Sequence, residues 1–361
     1  MSIRKRFLHY VSRITGGYIR PGQLANLARE RLMSRAQVAS WQPTAISFFV
    51  TSRCNFRCDM CPTHSLKTPK SYIHRHNEAP DMSPELLRFV LDRYPRAARV
   101  SLIGVGEPLL NPCFFELVRE CDKRRLILDT VSNGYALEGH IPDIVRRGLN
   151  RVIVSVNGHT PEDFHRMTGM RAECHSRILR NVQALARARG KKIHPVIEVS
   201  FIIDRHNWHY MRQMIDIGEE LGADAVVFCP FLPSPFPGFT PEERCLYADD
   251  PGVRDEFAGV MSKKLRCKVK WPYLLERSGG ARMTVCKWPF NMLIIDGGGN
   301  VGGCPAMMLN LHENGTVYDE DPWNNEHFRD LRRRHLQGDL FWPCNYCVAN
   351  GGVNPRLLCQ E

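Results

Sequence analysis

Short runs rich in β-branched and aromatic residues alternate with amphipathic stretches through residues 44–228, and that rhythm leaves few folds open. The runs fall at 44–51, 99–103, 126–131, 151–156, 196–203 and 225–228. A helical pattern lies in each of the five gaps between them, at 83–94, 113–124, 141–147, 172–189 and 208–221. Ser83-Pro84-Glu85 reads as a helix start, a capping serine followed by proline at the first helical position. Six strands alternating with helices predict a parallel sheet with right-handed crossovers, open or curved toward a barrel. In such folds the chemistry sits on the loops that follow the strands.

The rhythm stops after Phe228, where Pro230, Pro233, Pro235, Pro237 and Gly238 cannot continue a helix or a central strand. We read 231–280 as a linker and 281–361 as a small, loop-rich second domain. Within it, Met292-Leu-Ile-Ile-Asp296 followed by a glycine-rich turn to Cys304 predicts a β-hairpin.

Charge is uneven along the chain. The net charge is +11, and the first forty residues hold eight basic residues against Glu30 alone, so they carry +7 of it. This leader, 1–43, is either a solvated helix face or an arm that touches a membrane surface or a polyanion. The same asymmetry argues against a nucleic-acid groove across the body. Composition is globular, with 43% hydrophobic and 24% charged residues, which excludes a disordered chain. No long apolar run and no signal-peptide core are evident, so a cytoplasmic, non-spanning protein is expected.

Fourteen cysteines without an export signal should be reduced thiols, some of them metal ligands. Cys54, Cys58 and Cys61 lie within eight residues after the first strand. Three thiolates satisfy three irons of a cubane cluster and leave a fourth open to chemistry. A zinc knuckle completed by His64 is the plainer alternative. Cys286, Cys304, Cys344 and Cys347 could close a second cluster completely, or form a structural zinc ribbon. Cys359 stands apart as a spare ligand or a tail thiol.

The Cys54-x3-Cys58-x2-Cys61 loop resembles that of the radical S-adenosylmethionine (SAM) superfamily, and the likeness extends over about residues 44–230. Gly104-Val105-Gly106-Glu107-Pro108 is similar to the family's Gly-Gly-Glu-Pro segment, with Val105 interrupting the paired glycines. The resemblance implies a partial (β/α)6 TIM-like barrel, a [4Fe-4S] cluster on Cys54, Cys58 and Cys61, and SAM chelated to its open iron. It further implies that Gly106, Glu107 and Pro108 hold the SAM amino group and that Met60 lies beside the adenine. Asn133, in Ser132-Asn133-Gly134, belongs to the same strand-end set, and Ser155 and Arg166 take positions that contact the SAM carboxylate. Asn157 stands where relatives usually carry aspartate. Helix caps and turn formers are the ordinary alternative for these Ser and Asn residues. The segments around Cys286 and Pro322 resemble the C-terminal SPASM and twitch domains of the superfamily. The sparse cysteines after Cys347 favour the twitch form, with one auxiliary [4Fe-4S] cluster, as in enzymes of the 2-deoxy-scyllo-inosamine dehydrogenase type.

Such an enzyme cleaves SAM reductively, with flavodoxin or ferredoxin as electron donor, and its 5′-deoxyadenosyl radical takes hydrogen from a substrate C–H bond. An auxiliary cluster that accepts the second electron makes oxidation of a sugar or cyclitol alcohol the first expectation. Redox-neutral epimerisation is the second, with Cys229, just after the sixth strand, returning hydrogen to the substrate. Buried filler is the plainer role for that cysteine. Arg205 and His206 are candidates for an anion contact or a base. Peptide modification and a zinc-dependent binding module remain as further classes.

Overall fold

The computed structural model describes residues 19–33, 36–67, 81–231, 241–275, 277, 285–305, 314–341, 344, 347 and 352. The expected alternation is present, with one helix, Pro161–Thr168, that the sequence reading did not include: β1 (Ala45–Phe49), α2 (Pro84–Arg93), β2 (Arg99–Ile103), α3 (Phe114–Lys123), β3 (Ile127–Ser132), α4 (Ile141–Arg146), β4 (Arg151–Ser155), α5 (Pro161–Thr168), α6 (Glu173–Arg189), β5 (Val196–Ile203), α7 (Met211–Glu220) and β6 (Ala225–Pro230). These strands pair in parallel with their sequence neighbours. The result is an α/β fold with an open, mostly parallel sheet, consistent with a partial TIM-like barrel.

Strand periodicity separates two faces of this sheet. Phe48, Val100, Leu102, Leu128, Val152, Val154, Val199, Phe201 and Val226 are buried in one core with Leu87, Val90, Leu117, Ile178, Val182 and Met214 of the helices. Removing that much apolar surface from water is what holds helices to sheet. The opposite, inner face is mixed. Phe49 and Ile294 form a small separate apolar cluster with Ile103, Val105 and Met292, while the central strands place polar residues there.

Beyond β6 the chain is more regular than the sequence reading. Within the stretch expected as linker, α8 (Val253–Met261) and β7 (Lys268–Lys270) add a helix and a parallel strand that pairs with β6. Val253, Phe257 and Val260 are buried on one side of α8, whereas β7 has Val269 as its single apolar residue, too short for a period to register. β6 itself runs through Pro230, two residues past the expected stop at Phe228. Pro230 pairs with Ile203 on one side only, because β7 reaches no further than Val227, so its missing N–H is not called for there. The hairpin also forms, from β8 (Met292–Ile295) and β9 (Val301–Gly302). It is built onto the main sheet, because β8 pairs in parallel with β1. The strand order is therefore β7-β6-β5-β4-β3-β2-β1-β8-β9.

The basic leader includes α1 (Pro21–Met33), which docks through polar side chains. Gln23 Nε2 donates to Ala97 O at 2.7 Å, Asn26 Nδ2 to Gln42 O at 3.0 Å, and Glu30 accepts the Thr44 hydroxyl at 2.8 Å. Residues 1–18, which hold four of the leader's eight basic residues, and residues 34 and 35 lie outside the described residues. No helix among the described residues is long and apolar enough to cross a membrane.

At the other end, α9 (Glu326–Gln337) carries a fully buried Arg332. Its guanidinium donates to Pro289 O, Trp323 O and Asn324 Oδ1 at 2.9, 2.9 and 3.0 Å, and lies 4.3 Å from the Trp323 ring centroid. Asn324 in turn bonds both Ala39 N and Ala39 O, so this cation ties the C-terminal region to the chain that leads into β1. Burial lowers its pKa to about 10, a desolvation cost that the hydrogen bonds and ring contact offset.

Candidate active site

The three-cysteine loop leaves the C-terminal end of β1 and is fixed at both sides. Thr51 Oγ1 donates to Asp81 at 2.7 Å, and Arg53 pairs with the same carboxylate at 2.7 Å. Buried Phe56 anchors the loop edge-on to Tyr135 and Phe164, with ring centroids 5.7 and 6.3 Å away. Backbone N–H groups point at the sulfurs: Phe56 N lies 3.4 Å from Cys54 Sγ, and Thr63 N and His64 N lie 3.4 and 3.3 Å from Cys61 Sγ. Met60 sits half-buried in the loop.

Burial pushes the Cys54 thiol up to about 11, with Glu107 and Cys61 adding repulsion. It pushes Cys58 up to about 12, with Cys61 and Cys54 adding repulsion. Three thiolates that repel one another in a half-buried loop are a donor set that a soft cation stabilises. No three His, Cys, Asp or Glu side chains among the described residues converge on a single-ion site. A cubane cluster does not ask for that, since each thiolate takes its own iron. The donor chemistry and the N–H···S contacts fit an iron–sulfur cluster.

The segment after β2 is stitched to this loop. Gly106 N donates to Thr51 O at 3.1 Å and Glu107 N to Arg53 O at 2.8 Å. A Cβ on Gly106 would lie 2.0 Å from Arg53 O, and one on Gly104 would lie 2.8 Å from Thr51 O. Both glycines are thus required by backbone contact. Val105 is accommodated because it joins the inner-face cluster with Phe49 and Ile294.

Glu107 is 2% exposed. It accepts from Ser132 Oγ at 2.8 Å, Asn133 N at 2.7 Å and Leu109 N at 3.3 Å. Burial raises its pKa, and those donors oppose the rise. Pro108 opens a short 3-10 turn behind it. Asn133 Nδ2 continues the chain of contacts to Asn55 Oδ1 at 2.8 Å, back in the cysteine loop. The structure therefore brings Cys54, Cys58, Cys61, Gly106, Glu107, Pro108 and Asn133 into one constellation.

Ser155 ends β4 on the inner face, with its hydroxyl 3.5 Å from Ser200 Oγ. Asn157 adopts a left-handed φ of 55° and accepts Ile202 N at 3.3 Å, bracing β5. Arg166, on α5, is held by two carboxylates, at 2.6 Å from Asp163 and 3.4 Å from Asp204. The sequence reading did not single out this network. Fully buried Asp204 also pairs with Arg244 at 2.6 Å, and Asp163 holds His159 Nδ1 at 2.8 Å, whose ring stacks on Tyr210 with centroids 4.0 Å apart. Aspartates and a histidine just beyond β4 and β5 were the available signal. Arg205 turns to Glu242 O and Asp250 at 2.7 and 3.4 Å, and His206 is exposed. Cys229 lies on β6 opposite Ile202; burial raises its pKa and Lys270 opposes the rise.

In the second cysteine set, Cys286, Cys344 and Cys347 lie within electrostatic range of one another. Burial pushes Cys286 to about 11 and Cys344 to about 12, and the Trp288 N–H points at the Cys286 sulfur. Cys304 follows β9. Cys359 lies outside the described residues.

Residues 48–217 match the model of the Radical SAM superfamily. Among curated proteins, the chain is 26% identical over 203 residues to a tungsten-containing aldehyde ferredoxin oxidoreductase cofactor-modifying protein of Pyrococcus furiosus, covering 54% of this chain and 52% of that one. It is 31% identical over 129 residues to a GTP 3',8-cyclase of Acaryochloris marina, covering 35% and 38%. The chain spans about half or less of the length of these relatives. Among solved structures, anSMEcpe with bound AdoMet superposes with a TM-score of 0.61 at 14% identity, over 88% of this chain and 92% of that one. Streptococcus suis SuiB bound to precursor peptide SuiA gives 0.59 at 12% identity, over 86% and 70%; these likenesses show the fold. The superfamily match runs from β1 into α7, across the cysteine loop and the strand ends that enclose it, so residues 48–217, just under half of the chain, are what is similar to the radical SAM superfamily.

Proposed function

We propose that this chain is a radical SAM enzyme that oxidises a polar substrate, with a second iron–sulfur cluster in its C-terminal region. The observation that carries the reading is the stitched constellation around Glu107, which locks the cysteine loop, the glycine segment and the end of β3 into one rigid rim. When bound there, a [4Fe-4S] cluster with SAM supplies one-electron cleavage of SAM and hydrogen abstraction from a substrate C–H bond. Cys54, Cys58 and Cys61 would hold the cluster, and the backbone around Gly106 would present acceptors to the SAM amino group. Ser155 and Arg166 would meet its carboxylate, Arg166 with its guanidinium already oriented by Asp163 and Asp204. Met60 would cover the adenine.

Cys286, Cys304, Cys344 and Cys347 would hold the auxiliary cluster, the feature that favours net oxidation of a sugar or cyclitol alcohol. Cys229, on the inner face at the mouth of β6, would serve as hydrogen donor if the outcome were epimerisation. Peptide modification is the second reading, favoured by the fold shared with SuiB, which was solved with a precursor peptide. The test is iron, sulfide and zinc per chain after anaerobic reconstitution. About eight irons, falling to about four in the Cys54/Cys58/Cys61→Ala variant, supports the reading; zinc in place of iron contradicts it.

A further inference from the structure

The inner face carries a charged row that none of the preceding chemistry uses. Asp129, Arg151, Glu198 and Lys270 belong to β3, β4, β5 and β7, and strand register places all four on this face. Arg151 pairs with Asp129 at 2.9 Å and reaches Glu198 at 3.7 Å. Lys270 Nζ bonds both Glu198 oxygens, at 2.5 and 2.6 Å. Ala225, the small residue beside Glu198 on β6, lies on the strand this contact crosses.

The exposures decide the sign of what the row presents. The side chains of Arg151 and Lys270 are 36% and 33% exposed, whereas Asp129 and Glu198 are 17% and 6% exposed. The carboxylates therefore sit beneath, holding two cations that face outward. Arg99 and Lys268 lie on the same face and are exposed, so six charged groups sum to +2. Ser47 and Ser101 continue the row of Asp129 and Arg151 across β1 and β2. The Ser47 hydroxyl is buried in a residue 1% exposed and has no hydrogen-bond partner among the described residues.

We infer that this inner face binds an anionic group of the substrate, a carboxylate or a phosphate, through Arg151 and Lys270, with Asp129 and Glu198 as positioning residues. The inference rests on the radical SAM reading only in calling the ligand a substrate. Arginine and lysine side by side suit a multidentate anion. The buried acids hold both cations in place, so little side-chain entropy is lost on binding.

The test uses the full chain with reconstituted clusters and two probes, inorganic pyrophosphate and tricarballylate, titrated calorimetrically against a chloride control of equal ionic strength. SAM binding is titrated in parallel. At least one probe should bind. The Arg151→Gln/Lys270→Gln variant should lose about tenfold or more in affinity, and Arg151→Lys/Lys270→Arg should stay within about threefold of wild type. Lys270→Met alone, at a side chain one-third exposed, serves as the second variant if the double substitution impairs folding; it too should weaken binding. Preference for pyrophosphate assigns a phosphate, and preference for tricarballylate a carboxylate. No binding beyond the chloride control, or binding unchanged in the Gln and Met variants, overturns the inference. Failure of SAM to bind would instead count against the radical SAM reading and leave the anion result standing.

Discussion

Glu107 accepts the Asn133 backbone N–H at 2.7 Å, so a carboxylate from the loop after β2 ties off the end of β3. The same carboxylate takes the Ser132 hydroxyl, and Asn133 reaches back to Asn55 in the cysteine loop. Glu107→Gln keeps one acceptor oxygen and replaces the other with a donor that faces donors. Leaving a buried N–H unmet should cost about 1–3 kcal/mol. Urea unfolding of wild type and variant reads that loss, and weaker SAM binding should accompany it.

Gly106 and Val105 should respond in opposite ways despite being neighbours. A methyl on Gly106 meets the Arg53 backbone at 2.0 Å, and backbone cannot swing aside. Gly106→Ala should therefore displace the cysteine loop and abolish SAM binding. Val105→Ala removes two methyl carbons from the Phe49–Ile294 cluster, costs about 1 kcal/mol and leaves SAM binding intact. Calorimetric titration with SAM separates the two.

Thiol acidity gives a pH signature. Cys54 and Cys58 are held near 11 and 12, above the ordinary thiol value of 9.0. The folded apo chain thus keeps protons that the unfolded chain sheds, so these groups make apo stability fall as pH rises from 9 toward 12. Iron must displace the same protons, and cluster assembly should improve with rising pH and release protons. Iodoacetamide labelling at pH 8 should be at least about tenfold slower at Cys54 and Cys58 than at an unperturbed thiol. Labelling at the ordinary rate would show that the loop does not bury them.

Much of the fold was legible because the strands and helices between β1 and β6 obey their periods. Ser83 caps α2 by accepting the Leu86 N–H, as its sequence position implied. What sequence could not show is what two faces of a strand do. The polar residues of β3, β4 and β5 look like interruptions in apolar runs until register aligns Asp129 with Arg151, and Ile153 with Glu198. The cysteine spacing announced the site, but the reason for Gly106 is the Arg53 backbone, a contact across more than fifty residues. β7 escaped notice because three residues with one apolar member carry no period, and its pairing with β6 is what makes it a strand.

Arg332 should be among the most sensitive positions outside the site. Arg332→Ala would leave the Pro289 and Trp323 carbonyls without this donor in a buried setting. The expected loss is about 1–3 kcal/mol for each carbonyl left unmet. Arg332→Lys keeps the charge yet cannot span those carbonyls and Asn324 together, so it should recover only part of the loss. Thermal unfolding of the three proteins orders them.

The central claim is that this chain cleaves SAM at the Cys54/Cys58/Cys61 loop. The most direct measurement is 5′-deoxyadenosine and methionine released from SAM by the anaerobically reconstituted chain with dithionite. Wild type should form both products in equal amounts, and the Cys54/Cys58/Cys61→Ala variant should form neither. Wild type that binds iron at this loop yet releases neither product, or a triple variant that releases both at the wild-type rate, would contradict the account.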